Sequence, residues 1–148
     1  LTVYYKVIHG VRLVYPDARN TLKILLESGI RMGIISNTTN PEFIKEEELR
    51  QTGLNTYFEF AIFSSGTPYR KPHSSIFHAA ISRLNIEAEN ILFVGDDLKM
   101  DVMGAQSVGM STAWLNRDGS SLVGNISPDY QITSLSELLT MKPLKVAN

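Results

Sequence analysis

The sequence predicts an α/β domain built on a mostly parallel sheet. Two observations carry that prediction. Short apolar runs at Met32–Ile35, Phe60–Phe63 and Ile91–Val94 are each too brief for a buried helix. Each gives way to small or polar residues (SNTTN, SSGTP and GDD), as buried parallel strands ending in loops do. Between them lie stretches of helical periodicity, and strand alternating with helix is the mark of a parallel sheet covered by helices. Ligands of such sheets gather at the carboxyl ends of the strands, where this chain concentrates its polar residues.

The elements follow in order. Leu1–Gly10 places Tyr4, Tyr5 and Ile8 on one helical face and predicts a terminal helix, with a strand over Val3–Ile8 as the alternative. Asp17–Ser28 carries Ala18, Leu22, Leu25 and Leu26 at helical spacing and stops at Gly29. Pro41–Thr52 opens on proline and runs from acidic residues to Arg50, the direction the helix dipole favours, before Gly53. Pro72–Leu84 puts Ile76, Phe77, Ala80, Ile81 and Leu84 on one face. A shorter helix is expected from about Leu98 to Val108, ending at Gly109. Then come a strand at Ser111–Leu115, a loop through Gly119–Pro128, a strand at Tyr130–Ile132 and a helix at Leu135–Met141. There is no internal repeat and no low-complexity tract.

A length of 148 residues fits one domain able to bury a core. The formal net charge of −1, without a long run of like charge, gives no field for nucleic acid or an anionic membrane. Cysteine is absent, which excludes disulfides, thiolate metal sites and a thiol nucleophile. No apolar run approaches the roughly 18 residues of a membrane span, and LTVYYKVIHG lacks the build of a signal peptide. The expectation is a cytoplasmic protein. The chain begins at Leu1 directly in patterned sequence, so a piece of something longer is also expected.

Three segments carry candidate chemistry. In ILFVGDDLKMD, a strand ending near Val94 and Gly95 projects Asp96 into the crevice. Asp97 can cap the next helix, and Asp101 lies one turn further in. Carboxylates converging there repel unless a cation or a lysine neutralises them, and hard oxygen ligands suit Mg²⁺. Ser36, Asn37, Thr38 and Thr39 follow a strand directly, which makes either a phosphate cradle or a turn-and-cap cluster. Lys71 stands before Pro72 at the mouth of a helix, where its ammonium can neutralise a phosphate and the carboxylates or simply meet solvent. His9, His73 and His78 share no metal-ligand spacing. Trp114, Tyr57, Phe58 and Phe60 read as core, and Lys45–Glu48 as a solvated helix face.

Taken in order, an apolar strand followed by Ser-Asn, then Lys-Pro-x-x-x-Ile-Phe, then an apolar strand followed by Gly-Asp-x-x-x-x-Asp, resembles the haloacid dehalogenase-like (HAD) hydrolase superfamily. The resemblance covers roughly Tyr15 to the C-terminal helix. It implies a Rossmann-like, three-layer α/β/α core over residues 16–148, preceded by a remnant of a cap helix or linker at 1–15. It also implies that Ser36 and Lys71 bind a phosphoryl group, with Asn37 beside them. Asp96 becomes a Mg²⁺ ligand, Asp101 its partner through water or through Lys71, and Asp97 a further member of the metal set. Acids at positions 96 and 97, where metal-free dehalogenases of the superfamily carry serine and asparagine, point to a phosphatase of small phosphorylated metabolites.

One part of the family pattern is missing. Its first motif, an apolar strand ending Asp-x-Asp, supplies the nucleophile and the general acid and does not occur here. Asp17 is the first acid of the chain, and neither it nor Glu27 follows an apolar strand. The resemblance therefore implies the C-terminal part of a Mg²⁺-dependent phosphatase that is inactive alone. A non-catalytic phosphate- or cation-binding module and a metal-independent dehalogenase remain as alternatives. In the family's usual strand order the missing strand lies between those ending at Ser36 and Val94, so either these pair directly or Val3–Ile8 fills the place between them.

Overall fold

The structure, a computed structural model, describes residues 7–8, 11–12 and 14–142 of the chain. Val7–Ile8 (β1) pairs antiparallel with Val11–Arg12 (β2) as a sheet of its own. The helix expected across Leu1–Gly10 is therefore not formed at Val7 and Ile8; the rest of that segment lies outside the described residues. Ten residues are too few for periodicity to outweigh the strand preference of β-branched valine and isoleucine.

The chain then enters α1 (Ala18–Glu27), which ends two residues before Gly29, a glycine at φ +79°. β3 (Gly33–Ser36) leads to α2 (Glu42–Thr52), closed by Gly53 at φ +71°. β4 (Phe60–Phe63) follows and pairs in parallel with β3, Gly33 opposite Phe60 and Ser36 opposite Phe63. α3 (Ser74–Leu84) starts two residues later than expected, because His73 serves as its N-cap and its Nδ1 accepts the Ser75 N–H. β5 (Leu92–Gly95), β6 (Ser111–Leu115) and β7 (Tyr130–Ile132) make a second parallel sheet in that order. The C-terminal segment Leu135–Thr140 is a 3₁₀-helix entered through a Ser134/Glu137 capping box. Among the described residues no helix is long and apolar enough to cross a membrane.

Side chains of a strand alternate between the two faces of the sheet, and both half-sheets obey the same alternation. Ile34, Leu92 and Val94 pack with α1, Leu49 of α2, and Leu135 and Leu138 of the 3₁₀-helix. Ile35, Ile62 and Phe93 pack with α3 and Ala105 on the opposite side. Two cores shared by both half-sheets make one sandwich of helix, sheet and helix, the Rossmann-like α/β/α arrangement.

Between β3 and β5 lies a seam. Among the described residues neither of the two arrangements expected there is seen: β3 and β5 belong to different sheets, and β1 pairs with β2, while residues 3–6 lie outside the described residues. On the α3 side the seam is closed by side chains. The Phe60 ring covers Gly33 so closely that a Cβ there would meet it at 2.3 Å. The cavity of about 20 Å³ left among Gly33, Ile35, Phe60, Ile91 and Phe93 holds at most about one water.

Candidate active site

The site forms where β3 and β5 end on either side of the seam. β5 stops at Gly95, and the indole Nε1 of Trp114 on β6 donates to the Asp96 carbonyl at 2.9 Å, fixing the turn. Only glycine fits at position 95, because a Cβ would stand 2.4 Å from Cβ, Cγ and Oδ2 of Asp101. That close approach seats the Asp101 carboxylate against the end of the strand.

A helical irregularity puts it there. The expected helix from Leu98 opens as a π-helix, Leu98–Met103, and continues into α4 (Gly104–Gln106). The Asp97 carbonyl accepts from both Asp101 N–H (2.9 Å) and Val102 N–H (3.2 Å). Such one-turn widenings displace side chains relative to a regular helix and recur at functional sites. Asp97 itself caps the turn, its Oδ1 accepting from Lys99 N–H (2.9 Å) and Met100 N–H (2.7 Å). The helix cap, one of the roles its position allowed, is thus filled by Oδ1.

Asp101 and Lys71 form a buried ion pair, with side chains 3% and 6% exposed. Lys71 Nζ donates to Asp101 Oδ1 at 2.6 Å and to the Ile35 carbonyl at 3.3 Å, and lies 5.6 Å from the centre of the Phe93 ring. Asp101 Oδ2 accepts the Asp97 N–H at 3.1 Å. The ammonium therefore spans the seam, tying the backbone of β3 to the turn beyond β5.

The loop after β3 divides its groups. Asn37 Oδ1 accepts the Lys71 N–H at 2.9 Å, and its Nδ2 donates to the Lys71 carbonyl at 3.0 Å. Thr38 N–H donates to Ser64 Oγ, whose hydroxyl returns a hydrogen bond to the Thr38 carbonyl. Ser36 is half-buried, and its hydroxyl takes no partner among the described residues. Within this loop the free hydroxyl of Ser36 is thus available to a ligand, while the Asn37 amide is occupied by Lys71.

Asp96 is the carboxylate left over. The residue is exposed to solvent, yet protein close around the carboxyl strips part of its hydration. That burial, then the negative charges of Asp101 and Asp97, push its pKa above the ordinary aspartate range, while its own backbone N–H and Lys71 pull the other way. Among the described residues no three His, Asp or Glu side chains converge as a ready cation cage. The donor set nevertheless fits Mg²⁺, which takes one or two carboxylates and completes its shell with water and substrate phosphate. An ionised Asp96 beside two other carboxylates is relieved by a cation.

Asp17 lies elsewhere in the network. Its carboxylate accepts from Arg117 Nη2 at 3.0 and 3.1 Å and from the Leu135 N–H at 2.7 Å, and Arg117 stacks on the Tyr15 ring. It anchors the entry of α1 to the C-terminal 3₁₀-helix. Sequence reading missed three contributors, Asn37 as a clamp on Lys71, the Ile35 carbonyl, and the Trp114 indole. Only the first carried a signal, since asparagine alone among common turn residues offers both a donor and an acceptor at that length.

Comparisons with known proteins point to one family. A model of the haloacid dehalogenase-like hydrolase family matches residues 2–109. The glyceraldehyde 3-phosphate phosphatase of Pyrococcus abyssi is 38% identical over 72% of this chain and 45% of its own length. The crystal structure of a HAD phosphatase from Thermococcus onnurineus superposes with a TM-score of 0.78 at 39% identity, covering 87% of this chain and 58% of that one. The HAD-hydrolase YfnB of Bacillus subtilis, solved bound to magnesium, gives a TM-score of 0.77 at 30% identity over 84% of this chain and 54% of its own. The chain belongs to the haloacid dehalogenase-like hydrolases. It spans about half the length of the curated relatives it matches.

Proposed function

We propose that this chain supplies the phosphate-binding and cation-binding half of a cytoplasmic, Mg²⁺-dependent phosphatase acting on a small phosphorylated metabolite. Its aspartyl nucleophile comes from residues outside these 148. The observation that carries the reading is the buried Lys71–Asp101 pair spanning the seam beside the unshared carboxylate of Asp96. The names of the phosphatase relatives support it, and the magnesium-bound relative supports the choice of cation.

In this reading the Ser36 hydroxyl donates to a phosphoryl oxygen, and Lys71 neutralises that group while keeping its bond to Asp101. Asp96 holds the cation and Asp101 orients the ammonium. Mg²⁺, when bound, supplies neutralisation of the phosphoryl oxygens, the main requirement of phosphoryl transfer. The carboxylate nucleophile attacks phosphorus, the bond to the ester oxygen breaks, and the leaving oxygen takes a proton. Water then cleaves the aspartyl phosphate, returning the carboxylate and inorganic phosphate. Asp17 is not free for the first step, being held by Arg117 and the Leu135 N–H, and no acid precedes it within the 148 residues.

The test measures phosphate release from an aryl phosphate and from glyceraldehyde 3-phosphate, with Mg²⁺ or with chelator. The full-length gene product should release phosphate only with Mg²⁺ and lose that activity with Asp96→Asn, while these 148 residues alone should release none. Turnover by the short chain refutes the external nucleophile. Mg²⁺ and phosphate binding by the full-length product without turnover establishes a binding module instead.

A further inference from the structure

We propose that Asn37 is a positioning residue acting through Lys71 and does not itself touch the phosphoryl group; this rests on the phosphate site proposed above. Its side-chain amide makes two hydrogen bonds to the backbone of Lys71, one to the N–H at 2.9 Å and one to the carbonyl at 3.0 Å. Asparagine presents one acceptor and one donor side by side, and so grips a peptide much as a neighbouring strand would. Aspartate lacks the donor, and serine or threonine has too short a reach to span both groups.

The clamp matters because of what stands at the other end of the same side chain. Lysine carries its charge on a flexible four-carbon stem, so fixing the ammonium needs a constraint at each end. The far end is held by Asp101 Oδ1 and the Ile35 carbonyl, and the near end by Asn37. Ile35 and Asn37 flank Ser36 in the sequence. A single tripeptide therefore fixes Lys71 at both ends and leaves the Ser36 hydroxyl between the two anchors, with no partner among the described residues. The ammonium and the hydroxyl are thereby held at one mutual spacing, and angstrom-scale errors in such spacings weaken transition-state binding severely. The Asn37 amide commits its oxygen and one N–H to Lys71, and these two bonds fix the plane of the amide against the Lys71 peptide groups.

The proposal is tested with the 148-residue chain and two readouts. The first is the nitrogen-15/proton NMR signal of the Lys71 ammonium, which its buried bond to Asp101 slows enough to observe. It should be present in the native chain and lost to exchange in Asn37→Ala. Asn37→Ser, which cannot bridge both peptide groups, serves if alanine fails to fold. The second is inorganic phosphate binding with Mg²⁺ present, compared across Asn37→Ala, Lys71→Met and the double variant. Asn37→Ala should weaken binding about tenfold when Lys71 is present, and should leave it unchanged within about twofold in the Lys71→Met background. An ammonium signal that survives Asn37→Ala overturns the proposal. So does an equal loss of phosphate binding in both backgrounds, which places Asn37 on the anion. A native chain that binds no phosphate argues against the proposed function, and the ammonium signal still decides the role of Asn37.

Discussion

Replacing Lys71 with methionine tests the centre of the site without requiring turnover. The substitution keeps an unbranched apolar stem and removes the charge, leaving the buried Asp101 carboxylate with the Asp97 N–H alone. Breaking a buried pair from one side costs about 3–5 kcal/mol. The expected destabilisation at pH 7 is of that size. Adding Asp101→Asn removes the stranded charge and keeps an acceptor for the Asp97 N–H, so the double variant should regain about 2 kcal/mol at pH 7. Urea unfolding without Mg²⁺, followed by the fluorescence of the single tryptophan, Trp114, measures each value. A cost under about 1 kcal/mol for Lys71→Met at pH 7, or no recovery in the double variant, refutes a tight buried pair.

Other expectations test neighbouring parts of the site. The raised pKa of Asp96 means that ionising it costs folded-state stability above its folded pKa and nothing below its unfolded one. Asp96→Asn should therefore unfold at higher temperature than the native chain at pH 7, the advantage vanishing as pH falls through the carboxylate range; an advantage that grows on acidification contradicts the assignment. With a dissociation constant on the order of 1 mM, 10 mM Mg²⁺ adds about 1.4 kcal/mol to the native chain, roughly 4 °C in melting temperature. Asp96→Asn should abolish that shift, and its persistence removes Asp96 from the cation site. Gly95→Ala drives a methyl into Asp101 at 2.4 Å and should cost at least about 2 kcal/mol by chemical denaturation. A neutral result there means that the Asp101 carboxylate is free to move. Asp17→Ala should cost about 1–2 kcal/mol by stranding Arg117 and the Leu135 N–H, with the Mg²⁺-induced shift intact; loss of the shift would return Asp17 to the site.

The sequence was most readable where composition and local geometry agree. Phe60–Phe63, Ser111–Leu115 and Tyr130–Ile132 are strands over the residues their apolar and β-branched runs define. Helix stops at Gly29 and Gly53 follow from the positive φ that each must adopt. The contents of the site were readable as residue types in order, and much less so as contacts. Nothing local distinguishes the π-helix at Leu98–Met103 from a regular turn, because its cause lies in the seating of Asp101 on Gly95 and under Lys71. The grip of Asn37 on Lys71 spans 34 positions and that of Arg117 on Asp17 spans 100, beyond the reach of periodicity or capping rules. The pairing of Val7–Ile8 with Val11–Arg12 was missed for a different reason: Tyr4, Tyr5 and Ile8 satisfy a helical spacing by chance over so short a window.

The three aspartates of ILFVGDDLKMD show how one motif is apportioned by its surroundings. Asp97 faces the bare N–H groups of a helix start and becomes their acceptor. Asp101 is buried, so it is tolerable only with a counter-charge and a second donor, and Lys71 and the Asp97 N–H supply them. Asp96 has no ion pair of its own, and burial with the two charges behind it outweighs the help of its own N–H and the more distant Lys71. Placing a lysine against Asp96 would satisfy it and close the site. Placing Lys71 against Asp101 keeps the ammonium at the seam and leaves one carboxylate whose cheapest partner is a cation arriving from solvent. The chemistry of the motif thus follows from which aspartate the lysine holds, and that choice is made by Gly95, the π-turn and the clamp of Asn37 together.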